Sequence, residues 1–356
     1  MTSSTIKASV RAYENWLEAQ IGPDFVKSDL DEKHRKMRSS PFAFLRGTYW
    51  RWAEIILEVC PQFRDAPQIL AVGDTHVENF GTWRDAEGRL VWGVNDFDDA
   101  MTMPYPLDIV RLAASALLAR GKNDPSAREI CASVLAGYAR GVASPLPFVL
   151  ERDHKWLRKA VLLPEKERAA FWKKFESFEP SDVPARYRQV LQSSMPRNSD
   201  SVTIAPRTAG LGSLGRPRFV ARAMWNGGPM LREAKAVVVS AWSLHHAPTV
   251  TGIRAAEIAA GRFRAPDPHY RLLKDIIVRR LSPNSRKVEV KELGGGNLIS
   301  PRMLEAMGCE IGNCQAGDLD RIADVRAALK QIKGPWLHES AKAAARAVTR
   351  EHADFS

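Results

Sequence analysis

The sequence predicts an α+β protein that combines a mainly helical part with a smaller β-rich part. Through residues 1–200, apolar side chains recur mainly at helical spacing, interrupted by two short apolar strands. Residues 202–224 and 230–239 instead carry strand-type residues around a glycine-rich turn. With 356 residues, the chain is long enough for two lobes and a substantial core.

Two helices are predicted before the first strand. Gly22 ends the first helix, whose apolar face is marked by Ile6, Val10, Tyr13 and Leu17. Ser40 is the expected N-cap of the second helix, because Pro41 follows it at a position where proline is favoured. Residues 42–59 then predict one buried, aromatic-rich helix.

Two short strands lead into polar turns. Residues 69–72 predict a strand that runs into Gly73, and residues 90–94 predict a second strand that runs into Asn95. Residues 85–88 supply the turn between them. Because neighbouring strands bring their ends together, we expect both polar turns to lie close to each other.

The remaining elements follow from the same patterns. Helices are predicted at 107–117, 128–138, 165–175, 253–260 and 320–348. Beyond the strands named above, the pattern predicts an exposed linker at 195–200, a hairpin turn at 226–228, a strand at 276–281 and a flexible loop at 294–296.

The composition is that of an ordinary globular protein with an excess of positive charge. Apolar residues make up 45% and charged residues 26% of the chain, and the net charge is +11. This charge favours an anionic partner such as a nucleotide, although solvated arginine-rich helices would give the same excess. The basic residues are not interleaved with aromatic residues, so we expect no specific nucleic-acid partner.

Neither a membrane span nor a cleavable leader is predicted. Residues 1–10 lack the basic start and apolar core of a signal peptide. No apolar run reaches the roughly 18 residues that span a bilayer, so we expect no membrane partner. The four cysteines are scattered without a ligand pattern, which predicts reduced thiols in a cytoplasmic protein.

The most informative residues follow the two short strands. Asp74 comes after the first strand, Asn79 lies one short loop later, and Asp96 comes after the second strand. In phosphoryl transfer, one carboxylate orients the attacking hydroxyl, while an asparagine and a later aspartate hold Mg²⁺ on the phosphates. Mg²⁺ takes few protein ligands, and Asp96 with Asn79 meets that demand; Asp98 is a further candidate. The competing interpretation is that these residues are turn formers.

Two nearby residues have predicted roles. His76 is a candidate catalytic residue that could contact substrate or ligate metal, with bracing of the loop as the favoured role. Asp108 stands at the start of a helix, where we expect it to cap that helix or to anchor the loop that carries Asp74.

A glycine-rich turn lies in the β-rich part. Gly210, Gly212 and Gly215 form a Gly-x-Gly-x-x-Gly pattern with Ser213 inside it, and a strand follows rather than a helix. That context argues against a dinucleotide-binding turn. A strand–loop–strand unit can instead cover ATP phosphates with backbone N–H groups, while a simple glycine-rich hairpin is the competing interpretation.

These motifs resemble those of a known family. The resemblance is carried by the stretches 40–47, 73–81, 95–99, 210–215 and 278–281. They look like signatures of the domain-of-unknown-function family 2252, a bacterial family placed within the protein-kinase-like superfamily. The core is also similar to that of aminoglycoside phosphotransferases and choline kinases. The resemblance implies that Asp74 is the catalytic aspartate and that Asn79 and Asp96 bind metal.

The resemblance also implies a two-lobe kinase-like fold in circularly permuted order, because the catalytic part begins first. We accordingly divide the chain into N-terminal helices packed on the catalytic lobe (1–66), the catalytic lobe (67–200), a β-rich nucleotide lobe (201–290) and a C-terminal helical segment (291–356). A phosphate-pairing cation is then expected on the third strand of the nucleotide lobe. The best register places Arg232 there; Lys235 is the alternative, and Glu257 is a candidate to orient the cation.

We therefore expect ATP and Mg²⁺ as cofactors of a phosphotransferase that acts on an unidentified acceptor. Transfer of AMP would use the same residues, and Arg232 at a lysine position favours a nucleotide-binding regulatory module as an alternative. A metallophosphatase is less favoured, because Asn297 and Asn313 are followed by the wrong residues for its later metal ligands. No set of residues predicts the acceptor.

Overall fold

Among the residues that the structure describes, helices account for most of the regular structure, and the strands form three separate sheets. The computed structural model describes residues 4–287 and 298–356. The predicted α+β class is confirmed. The predicted loop at 294–296 and Asn297 lie outside the described residues. Within residues 4–287 and 298–356, no helix is both long and apolar enough to cross a bilayer.

The helices in the described ranges are α1 (Ile6–Ile21), α2 (Asp29–Met37), α3 (Pro41–Gly47), α4 (Tyr49–Val59), α5 (Pro106–Ala119), α6 (Ala127–Ala143), α7 (Lys155–Val161), α8 (Glu165–Glu176), α9 (Ala185–Ser194), α10 (Trp242–His246), α11 (Ala255–Ala259), α12 (Pro301–Ala316), α13 (Ile322–Gln331) and α14 (Trp336–Phe355).

The strands are β1 (Gln68–Ala71), β2 (Phe80–Arg84), β3 (Leu90–Val94), β4 (Met101–Pro104), β5 (Phe148–Val149), β6 (Asp200–Pro206), β7 (Arg218–Trp225), β8 (Gly228–Ala236), β9 (Arg271–Leu273), β10 (Ile276–Leu281) and β11 (Arg286–Lys287). They form a β1–β4 pair, a sheet in the order β11-β2-β3-β5 and a sheet in the order β6-β7-β8-β10-β9. Every pair of neighbouring strands is antiparallel.

The predicted helix over 42–59 is wrong in one respect, because Thr48 divides it into α3 and α4. Thr48 has a non-helical backbone, with φ −132° and ψ 42°. Its hydroxyl donates a hydrogen bond to the carbonyl oxygen of Phe44 at 2.6 Å, so a local side-chain bond competes with the helix. The N-cap prediction is confirmed, since the Ser40 hydroxyl accepts from the Ala43 amide at 3.1 Å.

The C-terminal prediction also needs correction. The segment 320–348 is two helices, α13 and α14, because Gly334 has φ +73° and Pro335 follows it. The sequence pattern did not predict α12. That helix begins at Pro301, and the Ser300 hydroxyl accepts from the Met303 amide at 3.4 Å.

The expected relation between the two short strands is wrong. The first strand, β1, pairs with β4, whereas the second, β3, lies between β2 and β5 in a different sheet. The intervening strand β2 was not predicted. The turns after β1 and β3 still meet, because the loop after β1 runs into β2, which pairs with β3. The Asn95 amide donates to the Asn79 carbonyl oxygen at 3.0 Å.

Helices α6 and α12 pack backbone to backbone along two pairs of glycines. Gly137 and Gly141 lie on α6, and Gly308 and Gly312 lie on α12. A Cβ on Gly141 would come within 2.1 Å of the Cys309 carbonyl oxygen. Small residues at such spacing let two helices approach until their backbones touch.

Helix α5 lies at the centre of the helical part. It packs against α3, α6, α12 and α14, and its residues are buried from Pro106 to Ala116. Two charged side chains, Asp108 and Arg111, are fully buried on this helix. Buried charges need partners, and both find theirs in the loop after β1.

Candidate active site

One cavity brings the two predicted halves of the site together. Its volume is ≈ 290 Å³. From the β1 and β3 loops it is lined by Asp74, His76, Asn79, Asp96 and Asp98. From the glycine-rich loop it is lined by Gly210, Gly212 and Ser213, so residues far apart in sequence face the same space.

Asp108 on α5 fixes the backbone of the loop that follows β1. Its two carboxylate oxygens accept from the Val72 and Gly73 amides, each at 2.9 Å. Gly73 has φ +86°, and a Cβ there would lie 2.2 Å from the Asp99 carbonyl oxygen, so only glycine fits this close approach. The expectation that Asp108 anchors this loop agrees with these contacts.

Arg111, one turn along α5, fixes the side chain of Asp74. Its Nε and Nη2 atoms donate to the Oδ1 atom of Asp74 at 3.0 and 2.5 Å. The guanidinium also donates to the Leu45 carbonyl at 2.8 Å and lies 5.1 Å from the ring centres of Tyr49 and Trp52. A planar cation held on so many sides restricts the rotamer of Asp74.

Asn79 joins the loop that carries Asp74 to the loop that carries Asp96. Its Nδ2 donates to the main-chain oxygen of Asp74 at 2.9 Å and of Asp96 at 3.1 Å. Its Oδ1 is buried and has no hydrogen-bond partner among the described residues. One side chain thus connects two loops that begin in different sheets and leaves an acceptor oxygen available.

Asp96 and Asp98 lie among cations. The Nζ atoms of Lys235 and Lys287 approach the Asp96 carboxylate to 2.9 and 2.7 Å. Burial alone would raise the pKa of Asp96, but Lys235 and Lys287 hold it well below its usual range. Asp98 lies 2.6 Å from Lys235 and 3.4 Å from Arg216; burial and the neighbouring Asp96 raise its pKa.

His76 braces its own loop. It is buried, and its Nδ1 accepts from the Glu78 amide at 3.2 Å. Burial lowers the pKa of His76 well below its usual value, and the nearby Arg46 lowers it further. The bond between its Nδ1 and the Glu78 amide matches the bracing role that the sequence favours.

The glycine-rich loop connects β6 to β7 and reaches the Asp74 loop. Gly210 and Gly215 have φ +78° and +94°. A Cβ on Gly212 would lie 3.1 Å from the Arg46 carbonyl oxygen and 3.6 Å from Oδ2 of Asp74. The backbone therefore closes over the carboxylate at a distance that a larger side chain would prevent. Ser213 accepts a hydrogen bond from Arg218 at 2.7 Å.

The third-strand cation at the site is Lys235, and the placement of Arg232 is corrected. Side chains alternate along a strand, so Glu233 and Lys235 share the face of β8 towards Asp96. Arg232 points the other way, where its Nη2 lies 3.3 Å from His269. Glu257 is also away from the site: it pairs with Arg254, the residue directly before its own helix.

A buried carboxylate with three guanidinium partners was not predicted. Glu233 accepts from Arg218 at 2.9 Å, from Arg279 at 2.7 Å and from Arg207. Burial would raise the pKa of Glu233, but these arginines hold it well below its usual range. All three arginines line the cavity, so one negative charge supports three positive ones on that wall.

The sequence held partial signals for the residues that were missed. Arg111 interrupts an apolar helix three positions after Asp108, and a charge inside such a stripe needs a buried partner. Glu233 adjoins the predicted cation position, but its arginine partners come from three different strands or loops. Lys287 lies on β11, a two-residue strand too short for a pattern to reveal.

The residues present fit a Mg²⁺ ion that arrives with a nucleotide. Among the described residues, no group of three or more His, Cys, Asp or Glu side chains could hold a metal. Mg²⁺ on phosphates needs only one or two protein groups, since phosphates and water complete its shell. The Asp96 carboxylate and the unpartnered Oδ1 of Asn79 meet that smaller demand.

Comparison with known proteins finds a family model that is similar to one part of the chain. Residues 26–155 match the model of a family described as an uncharacterized protein conserved in bacteria (DUF2252). The match includes Asp74, Asn79, Asp96 and Arg111 and supports the resemblance inferred from the motifs. It ends before the glycine-rich loop. No curated protein and no solved structure matches the chain significantly.

Proposed function

We propose that the protein is an ATP- and Mg²⁺-dependent phosphotransferase of the kinase-like type that acts on a hydroxyl acceptor. The observation that carries the proposal is the shared cavity. Asp74, Asn79 and Asp96 face it from one side, and Gly210 and Gly212 face it from the other. Phosphoryl transfer needs a carboxylate for the acceptor, metal-binding oxygens and a phosphate-covering loop in one place.

The order of the elements supports a permuted kinase-like arrangement. The glycine-rich loop joins the first two strands of its sheet, β6 and β7, and Lys235 lies on the third strand, β8. Kinase-like folds place the loop and the lysine on corresponding strands, but ahead of the catalytic loop in sequence. In this chain both follow Asp74.

The residues have separate tasks in the proposed reaction. Asp74, whose Oδ1 is held by Arg111, uses Oδ2 to orient the acceptor hydroxyl and receive its proton. Asp96 and Asn79 would hold Mg²⁺, which when bound neutralises charge on the phosphates. The N–H groups of residues 210–213 and the arginines around Glu233 bind the phosphate oxygens.

Calorimetry with Mg·ATP and an assay of ADP formation test the proposal, because ADP leaves whether water or a hydroxyl acceptor takes the phosphoryl group. Asp96→Asn should weaken Mg·ATP binding, because it removes a charge that holds the metal. Asp74→Asn should keep the affinity for Mg·ATP within about twofold of the wild type. It should lower turnover about a hundredfold, because the variant lacks the group that accepts the proton. Wild-type protein that binds no Mg·ATP, or an Asp74→Asn variant with undiminished turnover, would contradict the proposal.

A nucleotide-binding module without turnover is the second candidate. It is favoured by the pairing of Asp96 with both Lys235 and Lys287, which compete with a metal for the same carboxylate. Tight Mg·ATP binding with no ADP formation and no acceptor labelling would support it. The products distinguish the remaining alternative: AMP transfer releases pyrophosphate, whereas phosphoryl transfer releases ADP.

A further inference from the structure

The glycine-rich loop is held at its far end by the N-terminal segment. The Val26 amide donates to the Gly215 carbonyl oxygen at 3.0 Å, and the Gly215 amide donates to Oδ2 of Asp29 at 3.4 Å. A Cβ on Gly215 would lie 3.1 Å from the ring of Phe25 and 3.5 Å from Leu30. Polar and apolar contacts thus converge on one glycine.

A second contact continues from the loop to the metal side of the cavity. The Nη2 atom of Arg216 donates to the Tyr13 hydroxyl at 3.3 Å, while its Nη1 lies 3.4 Å from Asp98. Arg216 is buried and directly follows Gly215. The end of the loop is therefore tied both to α1 and to the segment that carries Asp96.

The N-terminal segment is itself fixed to the helical part. The Tyr13 ring stacks on Trp50 of α4 with centroids 5.0 Å apart. Ser9, one turn earlier, donates to Glu54 of the same helix at 2.5 Å. Residues from Ser9 to Asp29 consequently link α4 to the glycine-rich loop of the five-stranded sheet.

We propose that Tyr13 and Asp29 are positioning residues that hold the glycine-rich loop closed and so set the rate at which nucleotide leaves. Tyr13 lines the cavity, whereas Asp29 does not; Tyr13 acts on the loop through Arg216, and Asp29 acts on it through Gly215. Because Gly212 lies against Asp74 and the same loop ends at Gly215, we expect a movement of the loop away from Asp74 to strain these contacts. The nucleotide part of this inference rests on the function proposed above, whereas the bracing of the loop does not.

Two substitutions and one matched control test the inference. Tyr13→Phe removes only the hydroxyl and keeps the ring on Trp50, and Asp29→Asn weakens the acceptor for the Gly215 amide. Tyr187→Phe is the control, because it removes a buried hydroxyl that contacts Arg186 at 2.8 Å, outside the cavity. Asp29 is partly exposed, so its variant should fold even if Tyr13→Phe does not.

The measurements are hydrogen exchange in residues 209–216 and the dissociation rate of a fluorescent Mg·ATP analogue. Both the exchange rate and the dissociation rate should rise about tenfold in Tyr13→Phe and Asp29→Asn, because each variant loses or weakens one charge-assisted hydrogen bond. Both rates should stay unchanged in Tyr187→Phe. Unchanged loop exchange in both variants overturns the inference, as does faster exchange without faster dissociation. Faster exchange in a protein that binds no Mg·ATP supports the brace and overturns the proposed function.

Discussion

Arg111 binds one carboxylate oxygen of Asp74 through two nitrogens, while the other oxygen faces the backbone of Gly212. A side chain held in this way presents a single acceptor to the cavity. Arg111→Lys keeps the charge but loses the planar fork. We expect it to lower the kcat of ATP hydrolysis about tenfold while the KM for Mg·ATP stays within about twofold, as steady-state kinetics would measure.

The stability of the same pair can be separated from its role in turnover. Arg111→Met leaves the Asp74 charge without its buried partner and should lower the free energy of unfolding by about 3–5 kcal/mol. Adding Asp74→Asn should recover part of that loss without restoring turnover. Urea unfolding of the single and double variants measures this; full additivity of the two losses would argue against coupling.

Lys235 and Arg232 make a matched pair on opposite faces of β8. Lys235→Met removes the cation that we expect to pair with phosphate, which lies 2.9 Å from Asp96, and should weaken Mg·ATP binding about tenfold, as calorimetry would show. Arg232→Met is the control and should bind Mg·ATP as the wild type does, since its contacts are with His269 and Leu231. Equal losses in both variants would mean that the strand, rather than the lysine, matters.

Lys33 should make stability depend on pH. Its ammonium is buried without a hydrogen-bond partner among the described residues, and burial lowers its pKa to about 8 from 10.5. Below pH 8 the folded state carries a buried charge that the unfolded chain keeps in water; this penalty falls as pH rises from 8 to 10.5. Lys33→Met should therefore stabilise the protein by about 3 kcal/mol at pH 7.

Urea unfolding at pH 7, 9 and 10.5 tests the Lys33 prediction. The advantage of Lys33→Met over the wild type should shrink as the pH rises through this range. The cation lies 5.4 Å from the centre of the Tyr13 ring, a contact that would oppose the gain. A variant that is less stable than the wild type at pH 7 would show that this contact outweighs the burial of the charge.

The glycine contact between α6 and α12 predicts a large loss from a small substitution. Gly141→Ala places a methyl group 2.1 Å from the Cys309 carbonyl oxygen, so two backbones must separate. We expect a loss of about 3 kcal/mol in the free energy of unfolding. Gly252→Ala is the control, because nothing lies within 4 Å of its Cβ position; denaturation curves of the two should differ clearly.

The grouping of Asp74, Asn79 and Asp96 in the candidate site could be predicted because its information is local. Asp74, Asn79 and Asp96 lie within one short stretch, and turn chemistry after apolar strands exposes such side chains. The glycine-rich loop was found for the same reason. Its position against Asp74 could not follow from periodicity and came only from the resemblance.

The predictions from the sequence are wrong or incomplete where a long-range contact determines the structure. Whether Arg232 or Lys235 faces Asp96 depends on the register of β8 against its neighbours, and a shift of one residue exchanges the two faces. Arg111 was missed because its partner lies in another segment of the chain. The pairing of β3 with β2 and β5 was missed because β2 carries the end of the loop that was assigned to the site.

The packing of α6 on α12 also determines when the protein can fold. The ribosome completes α6 and the whole Asp74–Asp96 region long before it reaches α12. Until then the glycine face of α6 has no surface to meet, and Gln315 cannot donate to Asp108 as it does in the finished protein, at 2.9 Å. A chain that ended before Pro301 would contain Asp74, Asn79 and Asp96. It would lack the contacts of α12, including the bond from Gln315 to Asp108, that hold the surrounding structure in place.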